Sequence, residues 1–385
     1  MASCVSRWAS RTSTTSRPTS KRLSPRLAAC RRPLAPDPHT ASAQHGRARI
    51  GGLPEERTID TTSVRPTTPR PSSRRSRART RRLIAVAGLI LLVAVICVWV
   101  PGLIGTAAAA ALPWTGVALA IVAVIALFLA RRVLLLLLVP ALVWAVAIFP
   151  SLPGPGTGPA TDATPLTVVS QNVRAHSGGA AASAGDLAAL GADVIALTEL
   201  DGDSLTAASA ALAEEYAHSY AIGTVGVWSR FPIDDAVPLT LGLDWKRALR
   251  VSVRTPDADV AVYVLHAASV RPGQQHDRDM MLEGIAQAVA DDEAGSIIVV
   301  GDFNAASADP ALSAVRSRLD WVRPTDGTLG MTWPAALPLV RIDHVFVRGL
   351  DVHSSTTRRA GNSDHLATVT SVSVGIRDAD SAPGP

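Results

Sequence analysis

Three uncharged apolar runs dominate the first half of the chain: Leu83 to Val100, Ala107 to Ala130 and Val133 to Phe149. Each is near the roughly 20 residues a helix needs to cross the hydrocarbon core of a bilayer, so residues 83–150 are predicted as three transmembrane helices. A cleaved signal peptide does not fit, because the first run begins far from Met1 and two more follow it. After the Pro- and Gly-rich stretch "PSLPGPGTGPATDATP" the pattern changes to short apolar runs with polar connections. "LTVVSQNV" at 166–173, "DVIALTEL" at 193–200, "GTVGVWSR", "ALRVSVRT", "DVAVYVLHA", "SIIVVGDF", "RIDHVFVRG" and "HLATVTSVSV" read as strands. "AGDLAALGA" and "DRDMMLEGIAQAVADDE" at 277–293 have helical spacing. Eight or more strands with a few helices between them predict a two-layered sheet flanked by helices.

Charge divides the chain in the same places. Residues 1–82 carry 19 Lys and Arg against 4 Asp and Glu, with many Ser, Thr and Pro and few large apolar residues. Such a segment buries too little surface to offset its chain entropy, and a disordered basic tail is expected. The only charges in 83–150 are Arg131 and Arg132, while residues 151–385 have a net charge of −12, so the overall +5 describes no part of the molecule. Arg-rich flanks stay in the cytoplasm. "RRSRARTRR" at 74–82 and Arg131-Arg132 therefore predict a cytoplasmic N-terminus and an extracytoplasmic domain in a multi-pass protein of the cell membrane. Residues 151–165 are expected to be a linker and 376–385 a second disordered tail. No cysteine follows Cys97, so the exported domain has no disulfides.

Several polar residues stand directly after apolar runs: Asn172, Glu199, His266, Asp302, Asn304, Asp343, Asp364 and His365. Residues i and i+2 of a strand share a face, which would project Asp302 and Asn304 together. Taken one at a time, each of these has an ordinary structural reading. Together they supply oxygen donors suited to Mg²⁺ or Mn²⁺ and two imidazoles. Hydrolysis of a phosphate ester needs that set: a cation at the phosphoryl oxygens, a group to orient water and partners for proton transfer.

"SQNV", "LTEL", "LHAAS", "GDFNA", "RIDHVFV" and "GNSDHLAT" occur in the order and approximate spacing of the endonuclease/exonuclease/phosphatase superfamily, which the chain resembles over roughly residues 166–375. That superfamily includes deoxyribonuclease I, apurinic endonucleases, neutral sphingomyelinases and inositol-polyphosphate phosphatases. The resemblance implies a four-layered α/β sandwich with its site at the sheet edges. It implies that Asn172 and Glu199 belong to a metal site, with Asp364 helping to hold the ion or its water. Asp302 and Asn304 would orient the attacking water, and His365 would sit against the phosphate, kept cationic by Asp343. His266 would touch the phosphate or leaving group, and Arg250 would be a further phosphate contact. Ser229, Arg230 and His344 are read as structural.

Three functions stay open at this point. Three spans and an outward domain resemble the VanJ-type membrane proteins associated with glycopeptide resistance, which favours a membrane-linked phosphate or pyrophosphate ester as substrate. An exported nuclease is the second reading, although a domain of charge −12 lacks the phosphate neutralisation on which nucleic-acid binding relies. The third is a non-enzymatic scaffold with a relic site. A linker of this length spans roughly 20–25 Å as a flexible coil, which would keep the domain at the membrane surface.

Overall fold

The three apolar runs are helical in the computed structural model, which describes residues 72–155, 164–271 and 275–374. The expected tail over 1–71, the linker residues 156–163 and the C-terminal tail over 376–385 lie outside the described residues. Helices α1 (Ser72–Ile96), α2 (Leu103–Leu129) and α3 (Leu134–Ile148) form an up-down bundle. Arg74–Trp99, Leu103–Leu129 and Arg131–Ser151 are each long and apolar enough to cross a membrane. Leu89, Ile121, Phe128, Leu135 and Leu142 point outward from the bundle, so these helices are apolar on every side. The basic stretch 74–82, expected in the disordered tail, is instead the first part of α1. Arg is a good helix former, and a helix already nucleated by an apolar run propagates through such residues at little cost.

The bundle has two distinct ends. At one, Val95, Val98, Ala109, Leu112, Ala147 and Ile148 cluster with Ala306 of the following domain. At the other, Ile84, Ala126, Ala130, Val133 and Leu137 cluster beside Arg131 and Arg132.

The domain contains two six-stranded sheets. The first has the order β11-β12-β1-β2-β4-β3 and the second β5-β6-β7-β8-β10-β9. The first sheet comprises β1 (Leu166–Asn172), β2 (Val194–Thr198), β3 (His218–Ile222), β4 (Val225–Ser229), β11 (Leu350–Arg358) and β12 (Ala367–Val374). The second comprises β5 (Ile233–Leu239), β6 (Ala248–Arg254), β7 (Asp259–His266), β8 (Ile297–Asp302), β9 (Asp320–Trp321) and β10 (Asp343–Arg348). Val168, Val194, Val227, Val251, Val262, Val300 and Val345 fill the space between the sheets. Helices α4 (Ala180–Ala189) and α5 (Gly202–Leu212) cover the outer face of the first sheet, and α6 (Gln275–Asp291) and α7 (Ser313–Arg316) that of the second. This is the expected four-layered α/β sandwich.

Among the described residues only two strand pairs are parallel, β1 with β2 and β7 with β8, and both lie inside their sheets. Their C-terminal ends point the same way, so Asn172, Glu199, His266 and Asp302 emerge at one edge of the sandwich. Gly301 allows the second pair to close there. It has φ 135°, and a Cβ added to it would stand 2.0 Å from the Leu265 carbonyl oxygen of the neighbouring strand. Gly301→Ala is therefore expected to destabilise the domain by about 1–3 kcal/mol from backbone strain alone, with the steric conflict adding to it. Thermal unfolding of the full-length protein in detergent should show a midpoint several degrees lower; an unchanged midpoint would mean that the strand end tolerates a side chain.

Candidate active site

Register places the site residues side by side. Asp302 pairs with His266 on one flank and with Asp343 on the other, across three adjacent strands. Asn304 joins them by a different route from strand alternation. The strand stops at Asp302, the Phe303 side chain turns into the core, and Asn304 adopts the left-handed conformation at φ 47°. Asparagine tolerates that region because its short amide bonds locally. The Asp302 Oδ1 accepts from the Asn304 backbone N–H at 2.9 Å, and the Asp302 Oδ2 accepts from the Asn304 amide at 3.3 Å and from the Asn172 amide at 3.0 Å. A turn fixed by the carboxylate itself thus carries out what an extended strand was expected to do.

His365 and Asp343 form a buried pair in which the imidazole Nδ1–H donates to Asp343 Oδ2 at 2.9 Å. Burial opposes a charge on His365, yet the adjoining Asp343, with Asp302 and Asp364 beyond it, raises its pKa to about 10. Asp302 moves toward neutrality: burial, then the nearby Asp343, pushes its carboxyl up to about 7, against the pull of His365. The turn bearing Asp364 and His365 is tied to the end of β1. Ser363 Oγ–H donates to the Asn172 carbonyl at 2.6 Å, and Gln171 Nε2 donates to the Ala360 and His365 carbonyls at 3.0 Å.

His266 stands apart chemically. Burial, then Arg247 and His365, holds its pKa well below the usual imidazole range. Arg247 Nη2 donates to His266 Nε2 at 2.6 Å, so Nε2 is unprotonated and the Nδ1–H donates to Thr224 Oγ1 at 3.0 Å. In this arrangement neither ring nitrogen is left for a phosphate or a leaving group, which departs from the direct contact expected of His266. Arg250 also departs from expectation. It pairs with Asp292 at 3.1 Å on the outer face of its sheet and does not line the cleft. Strand alternation accounts for this, since Leu249, Val251 and Val253 turn to the inter-sheet core and Arg250 turns the other way, toward α6. The guanidinium near the site belongs to Arg247, whose pKa burial lowers while Asp302 and Glu199 support its charge. His344 is structural, as expected: it is fully buried, and Trp321 Nε1–H donates to its Nδ1 at 3.1 Å.

These groups meet in a cleft of about 370 Å³ lined by Asn172, Glu199, His266, Asp302, Asn304, Asp364 and His365. Asp343 stands behind His365. The donor set suits a hard divalent cation. Buried oxygens of Asp343 and Asp364 have no hydrogen-bond partner among the described residues. Donor atoms of Asp302, Asp343 and His365 lie within 4.8 Å of one another. Buried carboxylate oxygens without a partner are costly unless a cation or water completes them. Thr106 and Ala110 of α2 also line the cleft, as do Trp333, Val340 and Ile342; the contributions of Thr106, Ala110, Trp333 and Val340 were not legible from motif spacing.

A four-layered sandwich with carboxylates, an amide and a His–Asp pair at the ends of its central strands defines a metal-dependent phosphoester hydrolase. The chain belongs to the Endonuclease/Exonuclease/phosphatase family, which it matches over residues 160–365. Solved structures of similar fold include an endonuclease/exonuclease/phosphatase family protein of Bacteroides thetaiotaomicron, at 18% identity and TM-score 0.47 over 56% of this chain and 97% of that one. Another is D. rerio TDP2 complexed with single strand DNA product, at 18% identity and TM-score 0.47 over 54% of this chain and 99% of that one. A third is a mannosyl-6-phosphatase of Bacteroides thetaiotaomicron, at 18% identity and TM-score 0.45 over 54% of this chain and 99% of that one. A comparison with curated protein sequences gave no match.

Proposed function

We propose that this protein is a membrane-anchored phosphoesterase that hydrolyses a lipid-linked phosphate ester or pyrophosphate at the outer face of the cell membrane. The observation that carries this reading is the cleft wall: a helix long and apolar enough to cross a bilayer contributes Thr106 and Ala110 to the cavity that holds the carboxylates. A soluble polymer gains nothing from that arrangement, whereas a phosphate already at a membrane surface meets the site at high effective concentration. The charge of −12 over residues 151–385 also disfavours a nucleic acid.

Glu199, Asn172 and Asp364 are assigned to hold Mg²⁺ or Mn²⁺, which when bound supplies positive charge at the phosphoryl oxygens. Asp302, with a pKa near neutrality and held by two amides, accepts the proton of the attacking water, and Asn304 orients that water. His365, kept protonated by Asp343, donates to the phosphate or to the leaving oxygen. Arg247 and Thr224 fix His266 as a neutral wall residue that positions the others.

The test is turnover by the full-length protein in liposomes with Mg²⁺, comparing lipid phosphates and pyrophosphates with supercoiled plasmid at matched metal and low salt. Lipid-phosphate release much faster than nicking is expected. Rapid nicking abolished by Asp302→Ala, without lipid-phosphate release, would leave a nuclease, and no turnover on any substrate would leave a scaffold. Orientation is tested separately: a reporter fused after residue 156 should be extracytoplasmic and one after residue 132 cytoplasmic. Both reporters on one side would rule out the three-span arrangement.

A further inference from the structure

The segment from Met331 to Val340, "MTWPAALPLV", carries exposed Trp333, Leu337 and Leu339, with Leu337 at 66% exposure. Its backbone is well held. Trp333 and Val340 pair as an antiparallel bridge, and the Ala335 N–H donates to the Asp364 carbonyl at 2.6 Å. The same segment reaches the bundle, where the Trp114 indole N–H donates to the Leu339 carbonyl at 2.9 Å. One loop therefore links the backbone of Asp364, in the cleft, to α2.

The height of that contact can be read along the helix. Arg131 and Arg132 mark a polar boundary just past Leu129. At a rise of about 1.5 Å per residue, Trp114 stands about 22 Å, Ala110 about 28 Å and Thr106 about 35 Å from Leu129. The hydrocarbon core of a bilayer is about 30 Å thick. The Trp114–Leu339 contact thus falls inside the domain-side leaflet, while the cleft residues Ala110 and Thr106 straddle the boundary with the headgroups. Buried polar contacts set this height. The guanidinium of Arg278 donates to Thr106 Oγ1 at 2.9 Å, to the Asn304 carbonyl at 3.0 Å and to the Asp309 carboxylate at 2.9 Å. Apolar surface is also continuous along the path: Trp333 and Val340 line the cleft, Leu337 and Leu339 carry the surface outward, and Trp114, Val117 and Ile121 extend it down the exposed face of α2.

We propose that the 333–340 loop and the domain-side end of α2 form a lateral entrance to the cleft from within the bilayer, through which a lipid-linked substrate presents its phosphate while its hydrocarbon chain stays in the leaflet. This deepens the lipid-phosphate reading and rests on it. No methylene of the chain has to enter water for the phosphate to reach Asp302 and His365. A large exposed apolar patch beside a cleft is unfavourable in water and favourable against lipid. The occupant of this one is therefore lipid hydrocarbon.

Two measurements on the full chain in phosphatidylcholine/phosphatidylglycerol nanodiscs test it. In a background of Cys4→Ser, Cys30→Ser and Cys97→Ser, an NBD label on Leu337→Cys should be quenched by doxyl-labelled lipid and protected from iodide. For Leu337→Glu, turnover is compared on long-chain polyprenyl pyrophosphate and phosphatidic acid, each against its short-chain water-soluble homologue. The long-to-short ratio should fall at least tenfold below wild type. A label quenched by iodide and not by lipid overturns the entrance even if the wild-type protein hydrolyses lipid phosphates. So does a ratio that Leu337→Glu leaves unmoved. A label protected in the leaflet on a wild-type protein that releases phosphate from no lipid overturns the lipid-phosphate reading, and the entrance as a substrate path falls with it.

Discussion

Glu199→Gln is expected to lower phosphate-ester turnover by about 10²-fold or more while leaving the thermal midpoint near the wild-type value. Glu199 follows β2 in the left-handed conformation at φ 60°, half-buried at the cleft, and its carboxylate takes no hydrogen bond from the described residues. Glutamine keeps the same backbone conformation and nearly the same shape, so only the charge is lost. Removing the charge therefore costs the site and not the core. Asp302→Ala would be a poorer test, because Asp302 accepts from three donors and its loss also loosens the turn to Asn304. Turnover measured across a Mg²⁺ titration, beside thermal unfolding, separates the two effects. A variant within a few-fold of wild type at limiting Mg²⁺ would remove Glu199 from the site.

Asp343→Asn is expected to lower turnover by about 10²–10⁴-fold and to change how stability depends on pH. In the native pair, His365 is held with its pKa at about 10, against about 6.5 for an unperturbed imidazole. A group whose folded pKa is raised binds its proton more tightly in the folded state. The stability it contributes is complete below pH about 6.5 and disappears as the pH rises through about 10. Asp302, raised to about 7, acts in the same direction over the lower range from pH about 4 to 7. The wild-type midpoint should therefore decline from pH 6.5 to 10, and Asp343→Asn should lose most of that decline because His365 is then buried without a carboxylate. An identical decline in the variant would show that other groups carry the alkaline loss. The amide can still accept the Nδ1–H, so the variant is expected to fold.

The strands that the sequence displayed are the interior ones, and the strands it hid are the edges. β3, β5, β9 and β11 terminate the two sheets, and none shows the apolar run by which β1, β7 or β8 is found. An edge strand has one partner and need bury less. β5 carries Asp234, Asp235 and Pro238 with a shift in register, and β11 reads "LDVHSSTTR". Charges, a proline and a bulge are what keep an exposed edge from pairing with another chain, and they erase the pattern that announces a strand. Helix α5 was hidden for another reason: "GDSLTAASAAL" is made of small residues whose helix is started by Asp201, the side chain of which accepts from the Ser204 N–H at 2.7 Å.

The candidate cleft was legible where a quoted motif flanks a central strand. Asn172, Glu199, Asp302, Asn304, Asp364 and His365 reach one cleft with Asp343 behind them. Arg247 and Arg250 both lie in "RALR", but Arg247 stands just before β6 and bonds to His266, whereas Arg250 lies within β6 and pairs with Asp292. The contributions of α2 and of the 333–340 loop follow from contacts between segments far apart in the chain, such as Trp114 with Leu339, which no local pattern encodes.

In the membrane arrangement proposed above, the stretch "TAAAAALPW" from Thr106 to Trp114 answers to two solvents at once. Facing the bilayer it must be apolar, and facing the catalytic domain it must be small, since Ala109 is buried against the domain and Ala110 borders the cleft. Alanine meets both demands; leucine, ordinary in any transmembrane helix, would meet only the first and would fill the cleft at Ala110. Exchanging this helix for another of equal length and hydropathy would therefore preserve the anchor and still obstruct the enzyme.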